Sequence, residues 1–209
     1  MSKLQIKELS KSYGATTILQ IKDFIFNEGL YHIKGKNGSG KTTLFDSLAG
    51  LIPFEGTVTL DGNSVQSKAY KLKVNYSQAT PLFPQFLTGK SIIDLFARLK
   101  QASDDQKESL IELFEVDRYM HKEIGAFSSG MLKKLSIVTA FLGSPDWIIL
   151  DEPFITLDVK SQSSLLNLIR EIPLKGTSFL IATHQDSSQN QLPESIAYEL
   201  IEGELILEK

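Results

Sequence analysis

The sequence predicts an α/β fold in which helices cover both faces of a mainly parallel β-sheet. Three patterns support this fold class. Short apolar runs such as "GLYHIKG", "WIIL" and "SFLIAT" alternate with helical patterns, as strands and helices do in a parallel sheet. The first strand-like runs alternate with period two and predict a small N-terminal antiparallel β-subdomain. Residues 84 to 142 have helical spacing and predict an inserted α-helical subdomain.

Each element follows from its apolar spacing and from the glycine or proline at its ends. We expect strands at 3–9, 17–26, 29–35, 56–62, 71–78, 147–150 and 178–183, helices at 41–51 and 161–172, and a hairpin at 198–207 that turns at Gly203. The helix at 41–51 is expected to stop before Pro53. The chain is expected to form a single domain over 1–209, with residues 1–83 and 143–209 as its α/β core and 84–142 as its helical arm.

Composition limits the possible functions. The chain has 209 residues, of which 42% are hydrophobic and 22% charged, enough for one globular domain with a sizeable core. The net charge of −3 and the lack of a basic run argue against a nucleic-acid partner. Without cysteine there is no disulfide, thiolate metal site or cysteine nucleophile. No apolar window reaches the roughly 20 residues that span a bilayer, so the chain is not expected to enter a membrane alone.

The stretch "GKNGSGKTT" lies between a predicted strand and a predicted helix. Its spacing fits G-x-x-x-x-G-K-[ST], in which glycines turn backbone N–H groups inward and the helix N-terminus adds positive charge. Lys41 is expected to reach the β and γ phosphates, and the Thr42 hydroxyl to bind Mg²⁺. The strand and helix context disfavours the alternative of a glycine turn that only caps a helix. The expected contacts are Gly35, Lys36, Asn37, Gly38, Ser39, Gly40, Lys41, Thr42 and Thr43.

Two acids end the predicted buried strand in "WIILDEP". A nucleoside triphosphate site needs a carboxylate for the metal and a group that positions water. We assign Asp151 to Mg²⁺ through a water and Glu152 to the attacking water as general base, because adjacent residues at a strand end point apart. An acidic turn before Pro153 is the alternative interpretation, and the phosphate loop upstream disfavours it.

Together these motifs resemble the nucleotide-binding subunit of an ATP-binding cassette (ABC) transporter, over nearly the whole chain. The resemblance implies a P-loop NTPase (RecA-like) fold with ATP and Mg²⁺ as cofactors. The further matches, in the family's usual roles, are Tyr13 in "LSKSYG" (the aromatic that stacks on adenine), Gln78 in "VNYSQ" (the Q-loop glutamine), Ser128 and Gly130 in "FSSGM" (the signature), Asp158 in "DEPFITLD" (the D-loop) and His184 in "IATH" (the switch histidine). His32 and His121 match no motif.

The resemblance also implies partners. The signature of one subunit covers ATP held in the phosphate loop of a second nucleotide-binding subunit, which is either an identical chain or a paralogue. Gln78 is implied to be a Mg²⁺ ligand and a sensor that faces a separate transmembrane permease, and His184 to contact the γ-phosphate. The implied location is cytoplasmic, on the inner face of the membrane through the permease.

The signature departs from the family pattern at three positions. Phe127 replaces a leucine, Ser129 the first glycine and Met131 a glutamine. The sequence "SSG" before an apolar run still predicts an N-cap followed by a helix, so backbone amides remain available to an anion. We expect Ser129 to narrow the approach to the γ-phosphate and Met131 to remove one polar contact.

The size of the chain bears on which ABC protein it resembles. About 50 residues separate Gln78 from Ser128, which is room for a helical arm but not for the long coiled coil of chromosome-maintenance or repair ATPases. Compact size and "SSGM" favour stand-alone subunits of ABC-2-type exporters. The alternative is a protein that uses ATP only as a clamp in a regulatory or cell-division complex, and the presence of Glu152 and His184 argues against it.

Overall fold

The computed structural model describes residues 2–172, 176–183, 192 and 194–208. Its strands and helices, in chain order, are β1 (Leu4–Tyr13), β2 (Thr16–Phe26), β3 (Leu30–Lys34), α1 (Lys41–Leu48), β4 (Glu55–Leu60), β5 (Asn63–Ser64), α2 (Lys68–Lys73), β6 (Val74–Ser77), α3 (Gly89–Lys100), α4 (Asp104–Leu113), α5 (Ser129–Ala140), β7 (Trp147–Asp151), α6 (Val159–Glu171), β8 (Ser178–Ala182), β9 (Ile196–Ile201) and β10 (Glu204–Leu207). Short 3₁₀ helices at Val116–Arg118 and Ile124–Ala126 lie between α4 and α5. Within these ranges, no helix is long and apolar enough to cross a bilayer.

The N-terminal strands form the antiparallel sheet that the period-two pattern predicts. Its order is β2-β1-β4-β5, and Leu4 pairs with Phe26 on one side and Leu60 on the other. Alternate residues such as Leu4 and Ile6 are fully buried. One face of this sheet therefore contributes to the core while the other faces solvent.

The second sheet has six strands in the order β10-β9-β3-β8-β7-β6, and all neighbours except β10 and β9 pair in parallel. All five residues of β7 and all five of β8 are buried, which is expected for parallel strands covered on both faces. Successive residues of β7 belong to two hydrophobic clusters, one containing α1 and the antiparallel sheet and the other containing α3 to α6. The predicted α/β fold class is confirmed.

Segment 84–142 contains α3, α4 and α5, as its helical spacing predicts. The apolar side chains of α3 and α5, including Ile93 and Leu135, share one cluster with Ile148 and Phe179 of the sheet. Because this cluster is continuous, the burial pattern does not mark a boundary between arm and core. The division at residues 84 and 142 stays a prediction.

Two local predictions were wrong. Residues 71–78 do not form one strand, because α2 occupies the chain up to Lys73 and β6 begins only at Val74. Ser67 caps α2 by accepting a hydrogen bond from the Tyr70 amide, and Tyr70 is buried; both favour a helix over the alternation of apolar residues. Helix α1 ends at Leu48 rather than at residue 51, because Gly50 adopts a left-handed backbone with φ of 68°.

Candidate nucleotide site

A cavity of about 440 Å³ opens where the carboxyl ends of β3 and β7 meet the start of α1. Its volume falls in the range of small-molecule sites. It brings together the loop before α1, the two acids at the end of β7 and the aromatic at the end of β1. The lining residues are Tyr13, Ile18, Asn37, Gly38, Ser39, Gly40, Lys41, Thr42, Thr43, Ala79, Thr80, Asp151, Glu152 and Ile155.

Two positions of the loop require glycine, both because of their backbone conformation and because neighbouring atoms leave no room for a Cβ. Gly35 has φ of 152°, and a Cβ there would lie 2.6 Å from the Ser39 hydroxyl oxygen. Gly40 has φ of 103°, and its Cβ would lie 2.9 Å from a methyl carbon of Ile18. Any larger residue would be strained at both positions and would also push the loop open.

The lysine of the loop is already held in place by the loop itself. The Lys41 ammonium donates to the carbonyl oxygens of Gly35 at 2.7 Å and Lys36 at 3.2 Å, and its side chain is buried. In the described part of the chain, the buried Ser39 hydroxyl has no hydrogen-bond partner. A loop with a positive charge, an unused hydroxyl and amides at a helix N-terminus fits a polyphosphate.

Thr42 and Asp151, both predicted to hold Mg²⁺, line the same side of the cavity, and we call it the metal side. The Thr42 hydroxyl donates to Asp151 Oδ2 at 2.6 Å, and the carboxyl group of Asp151 is fully buried. Burial raises the pKa of Asp151 above its usual value, while the Thr42 hydroxyl opposes that shift. Asp151 Oδ1 has no partner among the described residues. The Thr42 hydroxyl and the Asp151 carboxylate, one of whose oxygens has no partner, form a set of oxygen donors that fits Mg²⁺.

Glu152 lies directly after Asp151 and also lines the cavity. Its backbone is left-handed, with φ of 45°, and its amide donates to the carbonyl oxygen of Ala182 at 2.9 Å. Thr156 in the same loop has φ of 66°. Left-handed backbone is unfavourable for such side chains and tends to occur at functional loops.

Gln78 follows β6 but is not among the residues that line this cavity. Its side chain instead faces the Asp46 carboxylate, to which the Tyr76 hydroxyl also donates at 3.0 Å. Burial raises the pKa of Asp46, and its two neighbours lower it. Asp46 lies one helical turn after Thr42, and this spacing was the only sign in the sequence that it would approach the site.

In the described part of the chain, the signature residues Ser128 and Gly130 do not line the cavity. Ser128 is exposed and caps α5, because its hydroxyl accepts from the Met131 amide at 3.3 Å; the predicted cap and helix are confirmed. The Met131 sulfur accepts from the Ser128 amide at 3.5 Å. A Cβ on Gly130 would lie 2.8 Å from the carbonyl oxygen of Thr156, so the signature packs tightly against the loop after Glu152.

Asp158 joins two helices rather than lining the cavity. It caps α6 by accepting from the Ser161 amide at 2.8 Å, and it pairs with Lys134 of α5 at 2.6 Å. The Lys134 ammonium and the Ser161 amide lower the pKa of Asp158 to about 2. The predicted switch residue, His184, lies outside the described residues. Tyr13 is 53% exposed, with the Lys11 ammonium 4.8 Å from its ring centroid.

Four lining residues were missed from the sequence. Ala79 and Thr80 immediately follow Gln78, and Ile155 is three residues after Glu152. The closeness of these three residues to predicted site residues was the only indication in the sequence that they line the cavity. Ile18 had no local indication, because it reaches Gly40 only through the packing of the antiparallel sheet on the loop.

Comparison with known proteins agrees with this geometry. Residues 20–155 match the family described as "ABC transporter". YxlF of Bacillus subtilis (strain 168), an uncharacterized ABC transporter ATP-binding protein, is 32% identical over 187 residues, covering 87% of this chain and 62% of YxlF. The bacitracin transport ATP-binding protein BcrA of Enterococcus faecalis is 30% identical over 211 residues, covering 98% of this chain and 68% of BcrA. A solved ATP-binding subunit of an ABC transporter has a TM-score of 0.83 at 28% identity, covering 97% of this chain and 87% of the other.

The fold and the site define a P-loop protein that binds a nucleoside triphosphate. The chain belongs to the ABC transporter family, whose model matches about two thirds of it. It spans 62% of the length of YxlF, so longer relatives contain sequence that has no counterpart here.

Proposed function

We propose that this chain binds Mg²⁺-ATP between the loop at 35–43 and the acids that end β7, and that hydrolysis there controls the closure of a pair of nucleotide-binding subunits. The observation that carries the proposal is the hydrogen bond of 2.6 Å between Thr42 and Asp151. It joins the helix that follows the phosphate loop to the strand that ends in the two acids. Phosphate and metal ligands therefore converge on one side of one cavity.

Each group has a separate task in binding. Backbone amides of the loop and the Lys41 ammonium bind the β and γ phosphates, with Lys41 exchanging its present carbonyl acceptors for phosphate oxygens. Tyr13 stacks on adenine at the exposed mouth of the cavity. Thr42 and Gln78 would hold Mg²⁺ directly, and Asp151 would hold it through a water. When bound, the metal neutralises charge that develops on the transferring phosphoryl group.

Hydrolysis needs a base and a contact to the γ-phosphate. The Glu152 carboxylate accepts a proton from the attacking water as the water oxygen bonds to phosphorus, and the bond to the β-phosphate oxygen breaks to give ADP and phosphate. His184 is assigned to the γ-phosphate. For Gln78 to reach the metal, its side chain must leave the Asp46 carboxylate that it now faces.

The exposed signature supports a paired arrangement. Ser128 and Gly130 are outside their own cavity, at the N-terminus of α5, where amides favour an anion. They cover ATP held by a second nucleotide-binding subunit, identical or paralogous, and that pair acts on a separate transmembrane permease from the cytoplasmic side. BcrA is named for bacitracin transport, and this supports a transport role. We assign that role to export of the ABC-2 kind because the chain is compact and has the "SSGM" signature.

Replacement of the base tests the proposal. Glu152→Gln should bind ATP without hydrolysing it, so size-exclusion chromatography in Mg²⁺ and ATP should show a stable dimer. The double variant Lys41→Ala/Glu152→Gln is the control and should stay monomeric, because it lacks the phosphate contact. A Glu152→Gln chain that remains monomeric under saturating Mg²⁺-ATP would contradict the closure mechanism.

A further inference from the structure

Lys133 is a lysine buried in the hydrophobic face of α5. Its side chain is 1% exposed, and it lies on the same side of the helix as the buried residues Ile137 and Ala140. Its ammonium donates to the carbonyl oxygens of Gln78 at 2.7 Å and Asp151 at 2.8 Å, with that of Ala79 further away at 3.5 Å. All three acceptors belong to the backbone of the nucleotide site.

These contacts begin where the pairing of two strands ends. Strands β6 and β7 pair in parallel up to Ser77 and Leu150, and the next residues along the two strands are Gln78 and Asp151. The Lys133 ammonium bridges the carbonyl groups of those next residues. One side chain therefore holds together the two backbones at the point where they separate to supply the assigned metal ligands.

A buried charge in such a place is costly unless hydrogen bonds and neighbouring charges compensate for it. The hydrogen bonds are those to the three carbonyls. Burial lowers the pKa of Lys133 to about 8, and the negative charges of Asp151 and Glu152 oppose that shift. Lys133 is also three residues after Gly130, on the helix that the signature begins. Through Lys133, this helix is linked directly to the backbone of the metal ligands.

We propose that Lys133 is a positioning residue that fixes the backbone at Gln78 and Asp151 for binding of Mg²⁺-ATP. The Mg²⁺ part of this inference rests on the proposed function. Lys133 is not among the residues that line the cavity, and it acts through the backbones of Gln78 and Asp151, to which it donates. Loss of its donors removes these hydrogen bonds from the carbonyls of Gln78 and Asp151 and releases the start of the loop at Gln78.

The chain offers a matched control in Lys100. Its ammonium also donates to backbone carbonyls, those of Val74 at 3.0 Å and of Lys71, at the opposite end of β6. Lys100→Met removes one hydrogen bond from the first residue of the same strand and one from Lys71 of α2, at the end of β6 that is opposite the metal side of the cavity. Any effect of lost donors on general stability should therefore appear in both variants.

The first measurement uses protein without nucleotide. Lys133→Met should speed hydrogen exchange at the backbone amides of residues 78 to 80 and 152 by about tenfold or more, and Lys100→Met should leave those amides unchanged. Equal exchange in the wild-type and Lys133→Met proteins would overturn the inference, whether or not the chain binds ATP. If Lys133→Met does not fold, Lys133→Gln keeps donors on a shorter side chain and should show a smaller increase, about threefold.

The second measurement is calorimetry with ATP, in Mg²⁺ and in EDTA. In the wild-type protein, Mg²⁺ should raise the affinity for ATP, and in Lys133→Met this increase should be about tenfold smaller. The affinity of Lys133→Met for metal-free ATP should stay within about twofold of wild type. In Lys100→Met, the increase caused by Mg²⁺ should also stay within about twofold of wild type. The role in metal binding would be overturned if Mg²⁺ raised the ATP affinity of Lys133→Met as much as that of wild type. It would also be overturned if both variants lost the Mg²⁺ effect equally. Failure of the wild-type chain to bind Mg²⁺-ATP would instead overturn the proposed function.

Discussion

The Thr42 hydroxyl and the Asp151 carboxylate lie 2.6 Å apart, although 109 residues separate them in the chain. Thr42 belongs to the first turn of α1 and Asp151 ends β7, so their contact fixes the phosphate loop relative to the acids. The short distance and the burial of Asp151 make this contact sensitive to loss of the hydroxyl.

Replacement of Thr42 with Val keeps the shape of the side chain and removes the hydroxyl. We expect a loss of about tenfold or more in Mg²⁺-dependent ATP affinity and a loss of stability of about 1–3 kcal/mol, because the buried Asp151 loses a donor. Calorimetry and urea unfolding measure the two effects. Thr139→Val is the control, since Thr139 donates only to the Ser136 carbonyl within α5. Unchanged Mg²⁺ dependence in Thr42→Val would contradict the assigned metal side.

The Asp158–Lys134 pair predicts a pH dependence of stability. The pKa of Asp158 is lowered to about 2 in the folded chain, below the value of about 3.9 for an unfolded Asp. The stabilisation is therefore present above pH ~4 and is lost as pH falls through the folded value. Asp158→Asn keeps a capping side chain and removes the charge. Its melting temperature should be slightly below wild type at pH 7, and the difference should shrink as the pH falls from ~4 towards ~2. A difference that does not change with pH would contradict the role of the ion pair.

Tyr76 is expected to matter both for stability and for the position of Gln78. Tyr76→Phe removes the bond of 3.0 Å to Asp46 and should cost about 1 kcal/mol of unfolding free energy. Tyr70→Phe is a matched control, because the Tyr70 hydroxyl donates to the Leu48 carbonyl at 2.6 Å away from the site. Both variants should unfold at lower urea, but only Tyr76→Phe should change the affinity that Mg²⁺ adds to ATP binding. Equal Mg²⁺ behaviour in the two would show that the Asp46 contact does not influence Gln78.

Gly130 is required by packing as well as by its place in the signature. Gly130→Ala should lower stability by about 1–3 kcal/mol even without nucleotide, because its Cβ would meet the Thr156 carbonyl oxygen at 2.8 Å. At Gly125 the nearest atom to an added Cβ is 3.5 Å away, so Gly125→Ala should be tolerated. Thermal melts of both variants in nucleotide-free buffer distinguish the two positions. Wild-type stability of Gly130→Ala would contradict the tight contact between signature and loop.

The sequence predicted those parts of the site that depend on local chemistry. The loop from Gly35 to Thr43 and the acids after β7 could be found because glycine conformation, a helix N-terminus and a strand end fix them within a few residues. The cap at Ser128 was equally local. Strands with buried, alternating residues were also correct, and this was enough for the fold class.

Features that depend on distant contacts were not predicted. Lys133 is 55 residues from Gln78 in the chain, and nothing beside it in the sequence shows that its charge is buried against backbone carbonyls. Asp46 accepts a hydrogen bond from Tyr76, which is 30 residues away in the chain, and this contact forms only in the folded structure. At residues 71–73 the local pattern was misleading, because the alternation of apolar residues predicted a strand. The Ser67 cap and the burial of Tyr70 favour a helix there instead.

The most direct test of the central claim is titration calorimetry of the intact chain with ATP in Mg²⁺ buffer. The account predicts saturable heat with one nucleotide per chain, a weaker response in EDTA, and loss of binding in Lys41→Ala, whose ammonium lies inside the phosphate loop. Absence of heat from the wild-type protein, or equal binding by Lys41→Ala, would contradict the assignment of this cavity to Mg²⁺-ATP.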